Sequence, residues 1–141
     1  MIVNFVALRH TAVLPSYGKP GDAGLDLTAT HIINNTSSQI TYGTDLAVEI
    51  PPNYVGLIYP RSSIRSTELI LSNCVGVIDS GYRGEIQATF NKLAGLDSWK
   101  YAVGTRIMQM IVMPYPQIEP TFTSTLSESA RGRGGFGSTG Q

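Results

Sequence analysis

A single cysteine, Cys74, leaves this chain no internal disulfide and too few thiolates for a zinc site of its own. It stands between Asn73 and Val75 in an apolar run, where a thiol packs like a small hydrophobe. Charge is scarce: 14% of 141 residues, ten basic against ten acidic, so no broad field exists to hold duplex nucleic acid or an anionic membrane. Any anion is therefore bound locally. The two histidines, His10 and His31, lie too far apart for ligand spacing and read as surface or strand residues. No apolar run reaches bilayer length, and residues 1–8 lack the basic start of an export signal, so a soluble, cytoplasmic protein is expected. Sustained helical periodicity is missing too, because fifteen glycines and eight prolines interrupt the chain.

Short strands are what remain. Alternation or apolar runs predict them at residues 3–8, 23–29, 46–50, 55–59, 99–103 and 106–113. Val55, Leu57 and Tyr59 mark one face of their strand, and Gln109 falls on a face with Ile107 and Ile111. A glutamine among apolar side chains needs hydrogen-bond partners, and symmetric contact with copies of itself would supply them. After Pro60, Arg61-Ser62-Ser63 reads as the start of a short helical turn with a serine cap.

The richest stretch is Gly76-Val77-Ile78-Asp79-Ser80-Gly81-Tyr82-Arg83-Gly84-Glu85. It sets Asp79 between a short apolar run and a glycine-rich turn, beside a core but outside it, and Ile86, Ala88 and Phe90 alternate beyond it. The whole reads as a β-hairpin. Taken alone, Asp79 would cap its own turn. The last residues, Arg131-Gly132-Arg133-Gly134-Gly135-Phe136-Gly137-Ser138-Thr139-Gly140-Gln141, cannot pack a core. Glycines beside Arg, Ser and Thr do allow a backbone to wrap phosphates, and Phe136 offers a face for a base. We therefore expect a core domain over residues 1–120 and a flexible arm over 121–141.

Five segments in order, Ala23-Gly24-Leu25-Asp26-Leu27, Pro60-Arg61-Ser62-Ser63, Gly76-Val77-Ile78-Asp79 with Tyr82-Arg83-Gly84, Gly104-Thr105-Arg106-Ile107-Met108-Gln109, and Arg131 through Gly140, resemble the trimeric dUTP pyrophosphatase (dUTPase) family. The resemblance implies an all-β distorted jelly-roll in a homotrimer, each site drawing on three subunits, with the arm closing over a neighbour. It implies hydrolysis of dUTP to dUMP and pyrophosphate, with Asp79 activating the water that attacks the α-phosphorus. An ordinary aspartate is a weak base, so the water must be positioned and the phosphate made electrophilic. Mg²⁺ is implied, held mainly by triphosphate oxygens and reached by Asp26 through water.

The resemblance further assigns Ser62 to the bridging region near the α-phosphate, with Arg61, Ser63 and Gln109 supporting it. Arg131, Ser138 and Thr139, with Gly137 between, would hold the terminal phosphates. Uracil would meet Asn73 and the backbone of Gly76, Val77 and Ile78; Tyr82 would pack under the deoxyribose and Phe136 stack on the base. Thr105 stands where the family more often carries an acidic residue, so an ion pair with a nearby arginine is expected to be missing. Two rivals remain. A dCTP deaminase shares the Arg-Ser-Ser segment but needs a glutamate in the strand after Asp79, where Ala88-Thr89-Phe90-Asn91 has none. A catalytically weak regulatory module would bind dUTP and signal to a protein.

Overall fold

A computed structural model describes residues 1–94 and 100–135. Its strands are β1 (Asn4–Ala7), β2 (Ser16–Tyr17), β3 (Leu25–Thr28), β4 (His31–Asn35), β5 (Gln39–Glu49), β6 (Tyr54–Pro60), β7 (Leu69–Leu71), β8 (Gly76–Ile78), β9 (Glu85–Lys92) and β10 (Arg106–Pro114). One 3₁₀ turn, Ser62–Ser66, is the sole helical element among the described residues. Every pairing is antiparallel. One sheet runs β1-β5-β9-β7 with β4 also on β5, and the other runs β2-β3-β10-β6-β8. The expected all-β architecture is what the chain adopts.

Alternation explains the core. On β9, Ile86, Ala88 and Phe90 point inward, as their spacing predicts, to meet Ile40, Tyr42 and Val48 of β5 and Leu27, Ile58, Met108 and Met110 of the other sheet. Tyr42 sets its ring edge-on to Phe90 at 6.0 Å and 76°, an arrangement worth about 0.5–1.5 kcal/mol beyond area burial. Its hydroxyl donates to Tyr101 O at 2.7 Å. Burial first, then the neighbouring Tyr101, pushes the Tyr42 hydroxyl up to about 12, partly offset by that hydrogen bond. Since the folded value lies above the unfolded one, the stability is complete below about pH 10 and is lost as pH rises toward 12. Tyr42→Phe should therefore flatten the fall in melting temperature over that window, while costing about 1 kcal/mol at neutral pH.

Several expectations are corrected. The stretch from Gly76 to Phe90 is not a hairpin: β8 pairs with β6 and β9 with β5 and β7, so the Asp79 turn crosses between sheets. On β6, a strand where one was expected, the buried positions are Gly56 and Ile58, on the face opposite Val55, Leu57 and Tyr59; the strand is apolar on both faces, so alternation does not choose between them. Residues 100–103 form no strand; Tyr101 instead packs its ring 6.1 Å from Phe90. Trp99, placed on that strand by the sequence, lies outside the described residues. Ser62 makes no capping hydrogen bond, the N-cap being Arg61, whose carbonyl receives Ile64 N–H at 3.0 Å. A register shift between Arg106 and Met108 buries Ile107 and Met108 together, so Gln109 no longer shares a face with Ile107.

Candidate active site

The middle of the second sheet brings three of the quoted segments together. In β3, β6 and β10, Asp26 lies opposite Gln109 and Gln109 opposite Tyr59, so Asp26 and Gln109 are cross-strand neighbours and Arg61 follows the end of β6. Asp26 is buried, with 8% of its side chain exposed. Both its oxygens are taken: Arg61 donates from Nε at 2.6 Å and Nη2 at 3.2 Å, and Arg106 from Nη1 at 3.0 Å. A buried carboxylate without such partners would be costly. Arg106 is therefore a site residue the sequence reading passed over, and its pairing with Asp26 does not need an acid at position 105. The Thr105 hydroxyl instead donates to Ala102 O at 2.7 Å.

Gln109 finds its partner within the chain, donating from Nε2 to Pro60 O at 3.1 Å. Gly24 makes room for it. A Cβ at Gly24 would fall on Gln109 Oε1 and come within 3.0 Å of Cδ. Gly24→Ala should displace Gln109, cost about 1–3 kcal/mol, and lower activity; an unchanged melting temperature and rate would show that the side chain has somewhere else to go.

Asp26, Arg61, Ser62, Arg106 and Gln109 line an open cavity of about 720 Å³, with Lys19 and Asp22 on its rim. Lys19 and Asp22 were not singled out from sequence, though the glycine and proline punctuation around them marks a loop; Lys19 N–H donates to Asp22 Oδ2 at 2.8 Å. The guanidinium groups, one lysine and one serine make this a wall for a polyanion. Ser63 turns away into an adjoining cavity, its hydroxyl 3.1 Å from Tyr101 OH.

The base-recognition candidates lie elsewhere. Asn73, Gly76, Val77 and Ile78 line a separate cavity of about 330 Å³ that shares no residue with the first. Gly76 allows close pairing there: a Cβ would come 3.0 Å from Ile58 Cβ on the paired strand, which would have to give by a few tenths of an ångström. Asp79 follows β8 on an exposed turn whose backbone is braced on several sides. Tyr82 N–H donates to Asp79 O at 3.0 Å, and Arg83 Nη1 donates to Ser80 O at 2.7 Å and Tyr82 O at 2.8 Å. Arg83 is tied in turn to Glu49 at 3.2 Å. Tyr82 is exposed and gives its hydroxyl to Glu85 O at 2.9 Å. Arg131 is exposed, its Nε donating to Gly134 O at 3.0 Å. Phe136, Gly137, Ser138 and Thr139 lie outside the described residues. One chain thus holds an open cavity lined by two arginines, a lysine and a serine and, apart from it, a cleft lined by the strand that leads to a braced aspartate.

The family model for dUTPase matches residues 10–140. The chain is 36% identical over 142 residues to a deoxyuridine 5'-triphosphate nucleotidohydrolase of Crocosphaera subtropica, covering 99% of each. It is 40% identical over 135 residues to the protein of that name from Polynucleobacter asymbioticus, covering 91% of this chain and 89% of the relative. Among solved structures, Staphylococcus bacteriophage 80alpha dUTPase with dUPNHPP superposes with a TM-score of 0.85 at 27% identity, covering 99% of each chain.

Proposed function

Because the chain belongs to the dUTPase family, we propose that it hydrolyses dUTP to dUMP and pyrophosphate by attack of water on the α-phosphorus. The observation that carries the reading is the convergence of Asp26, Arg61, Ser62, Arg106 and Gln109 on one open cavity. Arg61 and Arg106 bring positive charge to a substrate whose phosphates are its most strongly charged part, and Asp26 fixes where those guanidinium groups point. Ser62 is exposed at the cavity and free of a side-chain cap, so its hydroxyl is available to the oxygen that bridges the α- and β-phosphorus as charge builds there. Asp79 takes the proton from the attacking water, and the bond from the α-phosphorus to that bridging oxygen breaks.

The base sits against Asn73 and the backbone of Gly76, Val77 and Ile78. Uracil's two carbonyl oxygens and its ring N–H match backbone donors and acceptors, whereas cytosine would leave polar groups unpaired and thymine would add a methyl. Tyr82 supports the sugar. Phosphate wall and base cleft line separate cavities of one chain, and membership of the dUTPase family supports a homotrimer in which a nucleotide takes the wall from one chain and the cleft from another. The arm, residues 121–141, supplies Arg131, Ser138 and Thr139 to the terminal phosphates and Phe136 to the base, with Gly137 leaving the backbone close to the ligand.

The acidic groups lining the cavity, Asp22 and Asp26, offer oxygen donors alone, and both Asp26 oxygens already carry guanidinium contacts. That set fits Mg²⁺ brought in on the triphosphate, with Asp26 reaching it through water, rather than an ion caged by protein. When bound, the ion neutralises phosphate charge and polarises the reacting phosphorus.

Pyrophosphate release from dUTP, dTTP, dCTP and UTP, with Mg²⁺ or EDTA, tests the reading. Only dUTP with Mg²⁺ should react, and dCTP should yield no ammonia. Equal hydrolysis of dTTP would defeat the proposed base cleft. A chain ending before Arg131 should lose about 10- to 100-fold in kcat/KM, the worth of one charge-assisted contact or more. An undiminished rate would remove the arm from the site.

A further inference from the structure

β5 shifts its register against β9 between Gly43 and Ala47. Asp45 lies in that irregularity with φ of 56°, a left-handed conformation that aspartate tolerates better than most residues. The bend turns its carboxylate, 3% exposed, toward His31 at the start of β4 and Glu85 at the start of β9. His31 Nδ1 is 3.4 Å from Asp45 Oδ1, and His31 Nε2 is 3.8 Å from Glu85 Oε1.

We propose that His31 Nε2 and Glu85 Oε1 are direct ligands of a first-row divalent transition ion, and that Asp45 orients the imidazole. The Thr30 hydroxyl and the Asp45 carboxylate both face His31 Nδ1, at 3.2 and 3.4 Å. A carboxylate can only accept, so the ring proton belongs on Nδ1 and the lone pair on Nε2, facing Glu85. A separation of 3.8 Å is too long for a hydrogen bond. It suits two donors on one ion, each roughly 2.0–2.2 Å from the metal.

The surroundings are those of ligands held in place. Nδ1–H facing the Asp45 carboxylate is the arrangement that fixes a metal-bound imidazole. Glu85 is anchored as well, Oε1 accepting Asp45 N–H at 2.8 Å and Oε2 accepting from Gln87 Nε2 at 3.3 Å. Thr11 donates to Asp45 Oδ2, and Arg9 approaches Oδ1 at 3.4 Å from the solvent side. That one guanidinium, 63% exposed, faces two carboxylates, so the cluster retains an attraction for a cation. Gly43 keeps the space open: a Cβ there would fall on both His31 Cε1 and Glu85 Oε1. A nitrogen and oxygen donor set selects Zn²⁺, Co²⁺ or Ni²⁺ over Mg²⁺. None of the three residues lines the phosphate wall or the base cleft.

Calorimetric titration of the full chain with ZnCl₂, and the visible absorption of Co²⁺, test this. We expect one saturable ion per chain and a melting temperature that rises with Zn²⁺. His31→Ala and Glu85→Gln should each weaken binding at least tenfold. Asp45→Asn, which keeps the left-handed backbone comfortable, should weaken it about 10- to 100-fold. His10→Ala should change nothing. Glu85→Gln retains the side chain's shape and gives the same reading should His31→Ala disturb the sheet. Absence of saturable binding, affinity unaltered in both His31→Ala and Glu85→Gln, or equal affinity for Mg²⁺ would overturn the site.

Discussion

Asp79→Asn is expected to lower dUTP turnover by about 10²- to 10⁴-fold, the range that a positioned general base contributes. The fold should not notice. Asp79 is exposed, and the turn that carries it is held through backbone groups: its carbonyl accepts Tyr82 N–H, while Arg83 clamps Ser80 O and Tyr82 O. Asparagine suits the same turn, so the melting temperature should stay put while kcat falls and KM moves little. Subunit sharing adds a sharper test. Mixing Asp79→Asn with Ser62→Ala, after brief dissociation and reassembly, should restore part of the lost activity, because some sites then take their aspartate and serine from different intact chains. Failure to recover any would confine the site to one chain and break the proposed geometry.

Asp26→Asn should cost both stability and activity. Removing one partner from a buried ion pair costs about 3–5 kcal/mol where all charges are shielded from water. Here Arg106 is 53% exposed and Arg61 26%, so both recover some hydration and about 2–3 kcal/mol is the better expectation. That corresponds to a fall of roughly 5–10 °C in melting temperature. Arg61 would lose its fixed orientation, and kcat/KM should drop at least tenfold. The double variant Asp26→Asn with Arg106→Gln should be less destabilised than the two single effects summed, since the pair is already broken by the first. Strict additivity, or a melting temperature unmoved by Asp26→Asn, would mean that the contacts seen around this carboxylate carry no net energy.

Much of this was legible from the residues. Alternation through Ile86, Ala88 and Phe90 gave the inward face of β9, and the density of glycine and proline excluded a helical core. The order and spacing of five short segments gave the family and, within it, the candidate residues. The Asp26 and Gln109 segments meet as neighbouring strands, and the Arg61 segment follows the strand on the far side of Gln109.

The tertiary structure decided what a period of two cannot carry. Alternation records only which residues share a side of a strand; it says nothing about which strand lies alongside. The turn at Asp79 therefore read as a hairpin although its flanking strands belong to different sheets. Where both sides of a strand are apolar, as in β6, the periodic signal vanishes and packing against the opposite sheet selects Ile58. Two irregularities leave no mark in composition: the one-residue irregularity at Arg106 to Met108 reverses the face beyond it, whereas the two extra residues between Gly43 and Ala47 keep the inward face and turn Asp45 aside. His31, Asp45 and Glu85 meet for that reason. They are spread over fifty-five positions of the sequence, and only long-range strand pairing brings an imidazole between two carboxylates.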